Sequence, residues 1–295
     1  MMQMAFIKHI APLKYITTAI CVAAISLSAC GKKDDQVEET SKKVVPDFNK
    51  TYTFDTNPSW VQEFNSNGKP DASQWGYDVG GSGWGNNELE YYTNGSNVTM
   101  SGGNLVITAR KQSMGGMKYT SARLFSKGNG NFLYGRFVVA AKVPAGLGTW
   151  PAIWFLPTDK LYGDWPNSGE IDLMEHVGYD PINFYFTVHT SVYNHTLGTQ
   201  KGSNMSFTNA TTEYHVFRLD WTPTSITGYI DDQQIYTFIN DGKNNSQTWP
   251  FDQKFHLMLN LAIGGDWGGA QGVDDSAFPQ SMFIDYIRYY PVNNI

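Results

Sequence analysis

Short runs of apolar residues, many of them alternating with polar ones, follow one another from about residue 51 to the end of the chain. Alternation with a period of two indicates half-buried β-strands, and the glycine, asparagine, aspartate and proline between the runs indicate turns. No helix-length segment accompanies each strand, so the pattern predicts antiparallel sheets packed as a sandwich or jelly roll. The clearest runs are NLVITAR at 104–110, GRFVVAAKV at 135–143, INFYFTVHT at 182–190, HVFRLDW at 215–221, ITGYI at 226–230, KFHLMLNLAI at 254–263 and FIDYIRYY at 283–290.

The beginning of the chain has the pattern of an export signal. Lys8 and Lys14 precede an apolar stretch at 16–29 that is too short to cross a bilayer as a stable helix. The stretch ends in LSAC, which resembles the lipobox of bacterial lipoproteins, where cleavage precedes a cysteine that is then lipidated. We therefore predict a signal peptide at 1–29 and lipidation of Cys30; the alternative is an ordinary signal peptide that happens to contain a cysteine.

The segment that follows Cys30, GKKDDQVEETSKKVVPD, is rich in charge and poor in aromatic residues. Such a segment cannot bury enough apolar surface to fold alone, so 30–48 is predicted to be the lipidated cysteine and a flexible tether, with one domain at 49–295. A lysine followed by acids after the cysteine also resembles the export tag of surface-displayed lipoproteins. The expectation is an exported bacterial lipoprotein of the outer membrane, exposed at the cell surface, whose lipid anchor is its only membrane contact.

The composition of the chain limits its partners and its means of stabilisation. The only cysteines, Cys21 and Cys30, lie in or at the end of the predicted signal, so a large hydrophobic core has to stabilise the domain without disulfides. The formal net charge is −6, and no cluster of lysine and arginine occurs in the predicted domain. This charge disfavours nucleic acid and strongly anionic polymers as partners, and it favours a neutral substrate.

Three carboxylates lie close together in the run GEIDLMEHVG at 169–178. In a regular strand Glu170 and Asp172 share one face, while Glu175 points into the opposite one. A β-bulge near Leu173 or Met174 absorbs one residue and returns the third acid to the face of the other two. We predict this bulge, because a carboxylate pushed into the core is costly.

Paired carboxylates of this kind suit the hydrolysis of a glycosidic bond. In a retaining glycosidase one carboxylate attacks the anomeric carbon and the other protonates the leaving oxygen, with the two groups about 5 to 5.5 Å apart. An acid between them raises the proton affinity of its neighbours. On spacing alone, a solvated acidic strand and a calcium site remain open, because the pattern E-x-D-x-x-E is short.

The wider sequence resembles glycoside hydrolase family 16, within its branch of laminarinase-like endo-β-1,3-glucanases and β-1,3-1,4-glucanases. The run EIDLME, preceded by WPNSG and followed by HVG, resembles the catalytic signature of that family. Further similar segments span essentially the whole predicted domain: WGYDVGGSGWGNNELEYYT at 75–93, YTSARL at 119–124, YGRFVVAAKVPAGLGTWPAIWFLP at 134–157, NLAIGGDWGG at 260–269 and FPQSMFIDYIRYY at 278–290.

The resemblance implies a fold and a mechanism. The fold is a concanavalin A-like β-jelly-roll sandwich of two curved antiparallel sheets, the concave one forming an open cleft. The mechanism is hydrolysis with retention through a covalent glycosyl-enzyme, without a catalytic cofactor. Glu170 becomes the nucleophile, Glu175 the general acid and then base, and Asp172 the acid that tunes and orients the pair.

The resemblance also implies a structural calcium ion on the convex side of the sandwich. Its ligands would be Glu63, the carbonyl of Gly103 and Asp285. A zinc site formed by His176, His189 and His195 is disfavoured, because the spacing matches no zinc motif and no cysteine assists.

Sugar rings present apolar faces and hydroxyl edges, so a glucan cleft needs aromatic platforms beside polar groups. Trp75 and Trp221 occupy strand positions and are predicted to lie in the core. His189 is expected to point into the cleft near Glu175, with a structural histidine as the alternative. The predicted substrate-binding residues are Trp150, Trp154, Trp165, Trp267, Arg123, Asn86 and His189.

The leading hypothesis is a monomeric endo-acting hydrolase that cleaves internal β-1,3 or mixed β-1,3-1,4 linkages of laminarin-type or mixed-linkage glucans. One alternative is a hydrolase of algal galactans such as agar or carrageenan, which would require basic residues for sulfate. Another is a non-catalytic glycan-binding lipoprotein, since a jelly roll does not by itself settle function. A transglycosylase shares the covalent intermediate and differs only in the acceptor.

Overall fold

The computed structural model describes residues 43–128 and 130–295. The predicted signal peptide, Cys30 and the tether up to residue 42 lie outside the described residues. Residues 43–48, expected to belong to the tether, contact the domain instead. Lys43 Nζ lies 2.7 Å from Asp252 Oδ2, and Val44 packs against the hydrophobic core.

The described residues form β-strands joined by turns, with two short 3-10 helices at His195–Leu197 and Asp275–Ala277. No helix in this part of the chain is long and apolar enough to span a membrane. The strands are β1 Thr53–Phe54, β2 Trp60–Gln62, β3 Trp75–Asp78, β4 Glu90–Tyr92, β5 Val98–Ser101, β6 Asn104–Ala109, β7 Tyr119–Ser121, β8 Arg123–Ser126, β9 Asn131–Phe132, β10 Gly135–Lys142, β11 Thr149–Pro157, β12 Glu170–Glu175, β13 Asn183–His189, β14 Lys201–Ser206, β15 His215–Trp221, β16 Ser225–Ile230, β17 Gln233–Ile239, β18 Phe255–Ile263, β19 Gln280–Tyr290 and β20 Val292–Asn293.

Two eight-stranded antiparallel sheets make up the sandwich. The first, here called the cleft sheet, has the order β14-β13-β12-β11-β18-β8-β3, with β9 paired to β18. The second, here called the outer sheet, has the order β17-β16-β15-β10-β19-β6-β5, with β2 paired to β19. The predicted all-β jelly-roll sandwich is confirmed.

The core lies between the two sheets and follows from the period of two along each strand. On β11, Ile153 and Phe155 are fully buried and face the core. Trp150 and Trp154 lie on the opposite face of the strand and are only half-buried. Phe137 of the outer sheet meets Phe155 with ring centroids 4.7 Å apart, so the sheets are joined by aromatic contacts.

The two tryptophans that were assigned to the core are indeed there. Trp75 is 1% exposed and Trp221 is fully buried, and both belong to the main hydrophobic cluster. Because burial of a large apolar side chain contributes about 1.5 to 3 kcal/mol, a core of this size stabilises the domain without a disulfide. The same alternation leaves one face of the cleft sheet free to carry polar chemistry.

Candidate active site

The predicted β-bulge is present on β12. Asp172 pairs with Trp154 of β11, and the next pair along the ladder joins Met174 to Ile153, so Leu173 has no partner. The ladder to β13 shifts in the same place. Leu173 and Met174 both point into the core, and Glu175 returns to the cleft face that carries Asp172.

His189 lies on β13 directly opposite Glu170. Its Nε2 atom is 3.2 Å from Asp172 Oδ2 and 3.9 Å from Glu170 Oε1. His189 lines the cleft together with Glu175, as expected, and the pairing register of β13 places its Nε2 atom beside the other two acids. Glu175 is instead contacted by Trp150, whose Nε1 donates a hydrogen bond of 3.0 Å to Glu175 Oε1.

Burial and mutual repulsion raise the pKa of all three carboxyl groups. Burial, followed by the charge of Asp172, raises the pKa of Glu170 to about 8. Burial raises the pKa of Glu175 to about 7, against the opposing effects of His189 and the Trp150 hydrogen bond. The pKa of Asp172 is also raised, by burial and by the charge of Glu175. The free site therefore holds protons at neutral pH, as a glycosidase with a general acid requires.

The order of these pKa values does not by itself separate nucleophile from acid. The assigned roles need Glu170 ionised and Glu175 protonated, whereas the pKa of Glu170 is the higher of the two. The three groups share protons as one cluster, so the division of roles rests on the resemblance of the sequence and is a proposal.

A cleft of about 890 Å³ opens above the three acids. Its floor is formed by the outward residues of β11 and β18, and its walls by loops that carry tryptophans. All seven predicted substrate-binding side chains line it: Asn86, Arg123, Trp150, Trp154, Trp165, His189 and Trp267.

Arg123 is held between two indole rings in this cleft. Its guanidinium lies 4.9 Å from the ring centroid of Trp84 and 4.7 Å from that of Trp154. Its Nε atom is 2.9 Å from Asp78 Oδ2. Stacking and the ion pair fix the plane of the guanidinium and balance its charge.

Trp165 and Trp267 lie in two different loops and differ in their surroundings. Trp165 is 37% exposed, and one side of its ring contacts His195 at a centroid distance of 5.0 Å. Trp267 meets Trp150 and Tyr185 edge to face at 5.5 and 4.9 Å. Both rings are thus braced by neighbours, as a sugar platform requires.

Comparison with known proteins decides the family. The family model described as "Glycosyl hydrolases family 16" matches residues 85–288, which include the bulged strand and most of the cleft. The chain belongs to glycosyl hydrolase family 16. It is therefore a glycoside hydrolase. Members of family 16 hydrolyse the glycosidic bond with retention of the anomeric configuration and need no catalytic cofactor.

Individual relatives of this family 16 hydrolase agree in sequence and fold. A beta-glucanase of Rhodothermus marinus is 49% identical over 239 residues, which are 78% of this chain and 84% of the relative. The X-ray structure of the laminarinase from Rhodothermus marinus superposes with a TM-score of 0.79 at 47% sequence identity. The match covers 83% of this chain and 100% of the laminarinase chain.

A third relative was solved with a sugar bound. A mutant of SCLam, a non-specific endo-β-1,3(4)-glucanase of the same family, is 43% identical with a TM-score of 0.77. The match covers 84% of this chain and 96% of that one, and the mutant presents a 1,3-β-D-cellobiosyl-glucose at its active site.

Several cleft residues of this family 16 hydrolase were not found from the sequence. Tyr185 and Thr187 precede His189 at steps of two on β13, so the period of the strand could have found them. Other residues, such as Asp266 and His195, lie in loops whose course the pattern does not give. The remaining residues that sequence reasoning missed include Glu88, His256 and Asn260.

The disfavoured zinc site does not form. His176 is fully buried on the core side, where it packs against Phe184, and is thus separated from His189 and His195. Within residues 43–128 and 130–295, the one group of three or more histidine, cysteine or carboxylate side chains whose ligand atoms all lie within 4.8 Å of one another is Glu170, Asp172 and His189. All three residues line the cleft.

The predicted calcium ligands lie on the outer-sheet side, away from the cleft. Asp285 is exposed on β19, and Gly103 lies in the turn between β5 and β6. The carboxylate of Glu63 receives two hydrogen bonds of 2.7 and 3.1 Å from Arg288. The carboxylate of Glu63 is therefore paired with a guanidinium group in this structure.

Proposed function

We propose that this family 16 hydrolase cleaves internal β-1,3 linkages of β-glucans, including glucans that also contain β-1,4 linkages. The observation that carries the proposal is the bulged strand, which presents Glu170, Asp172 and Glu175 on one face at the floor of a tryptophan-lined cleft. The relatives named beta-glucanase, laminarinase and endo-β-1,3(4)-glucanase support this substrate.

The proposed reaction is a double displacement. Glu170 attacks the anomeric carbon while Glu175 donates its proton to the leaving glycosidic oxygen, so one C–O bond forms as another breaks. Glu175 then removes a proton from water, which attacks the same carbon and releases Glu170. Asp172 shares the face of Glu170, and His189 Nε2 lies 3.2 Å from Asp172 Oδ2 and 3.9 Å from Glu170 Oε1, so both side chains orient the nucleophile.

The charges in the cleft favour a neutral glucan over a sulfated galactan. A sulfated chain needs an unpaired cation near its sulfate groups. Arg123 and Lys160 line the cleft, and each is paired with a carboxylate, Arg123 with Asp78 and Lys160 with Asp164. The aromatic walls formed by Trp165 and Trp267 suit the apolar faces of sugar rings.

Reducing-sugar release on four polysaccharides tests the function. The substrates are laminarin, barley-type mixed-linkage glucan, agarose and carrageenan, and the Glu170→Gln variant is the control. We expect release from laminarin and mixed-linkage glucan that the variant abolishes. Release from a galactan alone would mean that the substrate is a galactan and not a β-glucan. No release from any of the four polysaccharides would favour the glycan-binding alternative.

We also propose that the chain is a lipoprotein of the outer membrane, exposed at the cell surface and anchored through Cys30. This proposal rests on the lipobox-like LSAC and on the charged segment that follows it. In cell fractionation, Cys30→Ala should release the protein from membranes, and continued membrane association would contradict the anchor. Size-exclusion chromatography of the released protein should give the mass of a monomer.

We further propose a structural calcium ion bound by Glu63, by the backbone carbonyl of Gly103 and by the carboxylate of Asp285. Hard oxygen ligands of this kind suit calcium, which would stabilise the outer sheet without a part in the reaction. A chelator should lower the melting temperature of the wild type and leave that of Asp285→Asn unchanged. An equal effect on both proteins would contradict the site.

A further inference from the structure

Two buried carboxylic acids beside the cleft take no part in the double displacement. Glu88 is 5% exposed, and Glu90, at the start of β4, is fully buried. Buried acids are costly unless their oxygens are hydrogen-bonded or carry a proton. The contacts of the two side chains therefore indicate what they do.

Glu88 is the centre of a chain of hydrogen bonds that reaches the floor of the cleft. Its Oε1 accepts a bond of 3.2 Å from Asn86 Nδ2, and its Oε2 accepts one of 2.8 Å from the Tyr92 hydroxyl. The Tyr92 oxygen accepts a bond of 3.1 Å from Asn260 Nδ2. Asn260 Oδ1 in turn accepts a bond of 2.8 Å from the indole of Trp154. Asn86 and Trp154, two of the predicted sugar contacts, are thus joined through Glu88.

Glu90 follows Glu88 by two residues, and the surroundings of its side chain favour the neutral acid. Its Oε2 accepts a bond of 2.6 Å from the backbone N–H of Ile263. Its Oε1 is buried and receives no hydrogen bond from any residue in the described ranges 43–128 and 130–295. Burial, and then the charge and hydrogen bond of Glu88, raise the pKa of Glu90 well above its usual range. A neutral carboxyl group is a donor, and Glu88, also buried and two residues earlier in the chain, offers it an acceptor.

We propose that Glu88 and Glu90 share one proton and that the pair positions Asn86 and Trp154 for binding of the glucan. Through Trp154 the pair also supports Arg123, which stacks on that indole. Both acids are positioning residues, because neither touches the reacting atoms. The proposal rests on the proposed function, since it assumes that the cleft binds β-glucan.

Two matched substitutions separate the roles of the two acids. Two donors converge on Glu88, from Asn86 and Tyr92, and the proposed proton of Glu90 adds a third. A carboxylate can accept from all of them. In Glu88→Gln the amide group brings its own N–H donors against these groups, so at least one bond is lost. In Glu90→Gln the amide still donates to Glu88 and its oxygen still accepts from Ile263, so the network is retained.

The experiment compares kcat and KM of the full chain and three variants on a soluble β-1,3-glucan oligosaccharide. We expect Glu88→Gln to raise KM about tenfold while kcat stays within about threefold, since a bond to a charged group on the binding side is lost. Tyr92→Phe removes the hydroxyl that links Glu88 to Asn260, so it should raise KM in the same sense. Glu90→Gln should leave KM within about twofold of the wild type.

Several outcomes would overturn the pair. These are an unchanged KM in a folded Glu88→Gln, an equal rise in Glu90→Gln, and a loss of kcat without a change in KM. If circular dichroism shows that Glu88→Gln does not fold, Tyr92→Phe decides, because it keeps both carboxyl groups.

A second measurement is independent of the substrate. Since the pKa of Glu90 is raised in the folded state, the wild type loses stability as the pH rises above the usual glutamate range. The melting temperature of Glu90→Gln minus that of the wild type should therefore increase as the pH increases. If the wild type does not hydrolyse β-glucan, only the proposed function is overturned. If the difference in melting temperature does not increase with pH, the shared proton is overturned.

Discussion

At the scale of single residues, the three cleft carboxylates are held in an environment that opposes their ionisation. Their burial is a cost to stability that the reaction requires, because a general acid has to remain protonated near neutral pH.

Replacing either glutamate by glutamine should abolish activity and should not destabilise the fold. We expect Glu170→Gln and Glu175→Gln to lower kcat by about 10²- to 10⁴-fold or more. Because the folded pKa of Glu170 is about 8, the wild type loses stability as the pH rises from the unfolded glutamate range towards that value. The Glu170→Gln variant lacks this loss, so its melting temperature relative to the wild type should increase with pH.

The leaving group tells the two roles apart. An aryl glycoside with an acidic phenol needs no proton on departure, so Glu175→Gln should retain formation of the glycosyl-enzyme on it, while Glu170→Gln should not. The opposite pattern would reverse the assignment of nucleophile and acid.

Trp150 tunes the acid that it contacts. Its indole N–H bonds to Glu175 Oε1 and favours the ionised carboxylate, so Trp150→Phe should raise the pKa of Glu175. If Glu175 is the general acid, the alkaline limb of kcat/KM moves to higher pH. Trp154→Phe is the matched control, because its indole bonds to Asn260 and should leave that limb in place. A shift of the acidic limb instead would give Glu175 the role of nucleophile.

At the scale of elements, β12 combines two requirements that a regular strand cannot meet. The bulge at Leu173 lets two consecutive apolar residues face the core while the third acid faces the cleft. The sequence indicates this bulge because the alternative buries a carboxylate without a partner. The position of His189 relative to the acids was not predictable, since it depends on the pairing register between β12 and β13.

Strand positions were predictable where alternation is clear. The run at 215–221 coincides with β15, and the run at 135–143 with β10 apart from one residue. β19 begins three residues before the predicted run at 283–290, because its first residues pair with β6 at the edge of the apolar stretch. Short strands such as β4 and β7 carry too few residues to show a period, so the pattern does not reveal them.

His176, immediately after β12, should make the fold sensitive to acid. Burial lowers the pKa of its imidazole to about 4, so the folded state keeps it neutral. The unfolded chain binds a proton below about pH 6.5, and stability is therefore lost as the pH falls from 6.5 towards 4. Melting curves of His176→Leu should show a smaller decrease between pH 7 and pH 5 than the wild type shows. An identical decrease in both proteins would place the acid sensitivity elsewhere.

At the scale of the whole molecule, the two sheets together form the core, and one of them also forms the cleft. The inward faces form one aromatic core, and the cleft sheet keeps its outward face for the acids and the sugar platforms. Composition, strand periodicity and the family-like segments were sufficient to predict this architecture and the seven cleft residues. Loop residues such as Asp266 and His195 were not predictable, because loop geometry is set by tertiary contacts rather than by a local pattern.

Two tryptophans test whether this division holds. Trp267 braces the cleft wall through Trp150 and Tyr185, whereas Trp221 is fully buried and its Nε1 donates a bond of 3.1 Å to the backbone carbonyl of Phe251. Trp221→Ala should lower the free energy of unfolding by about 3 to 5 kcal/mol, since it leaves a large cavity and an unpaired carbonyl.

Trp267→Ala, in contrast, should weaken glucan binding severalfold and change the melting temperature little, because its ring packs on the cleft side and not in the core. Equilibrium binding of a glucan oligosaccharide to the Glu170→Gln background, with and without Trp267→Ala, measures the effect without turnover. Unfolding of the Trp267→Ala chain would mean that the loop is part of the stabilising core and that the cleft wall and the sandwich form one cooperative unit. Unchanged glucan binding by a folded Trp267→Ala chain would mean that Trp267 does not stack on a sugar ring and that Trp165 provides the aromatic platform.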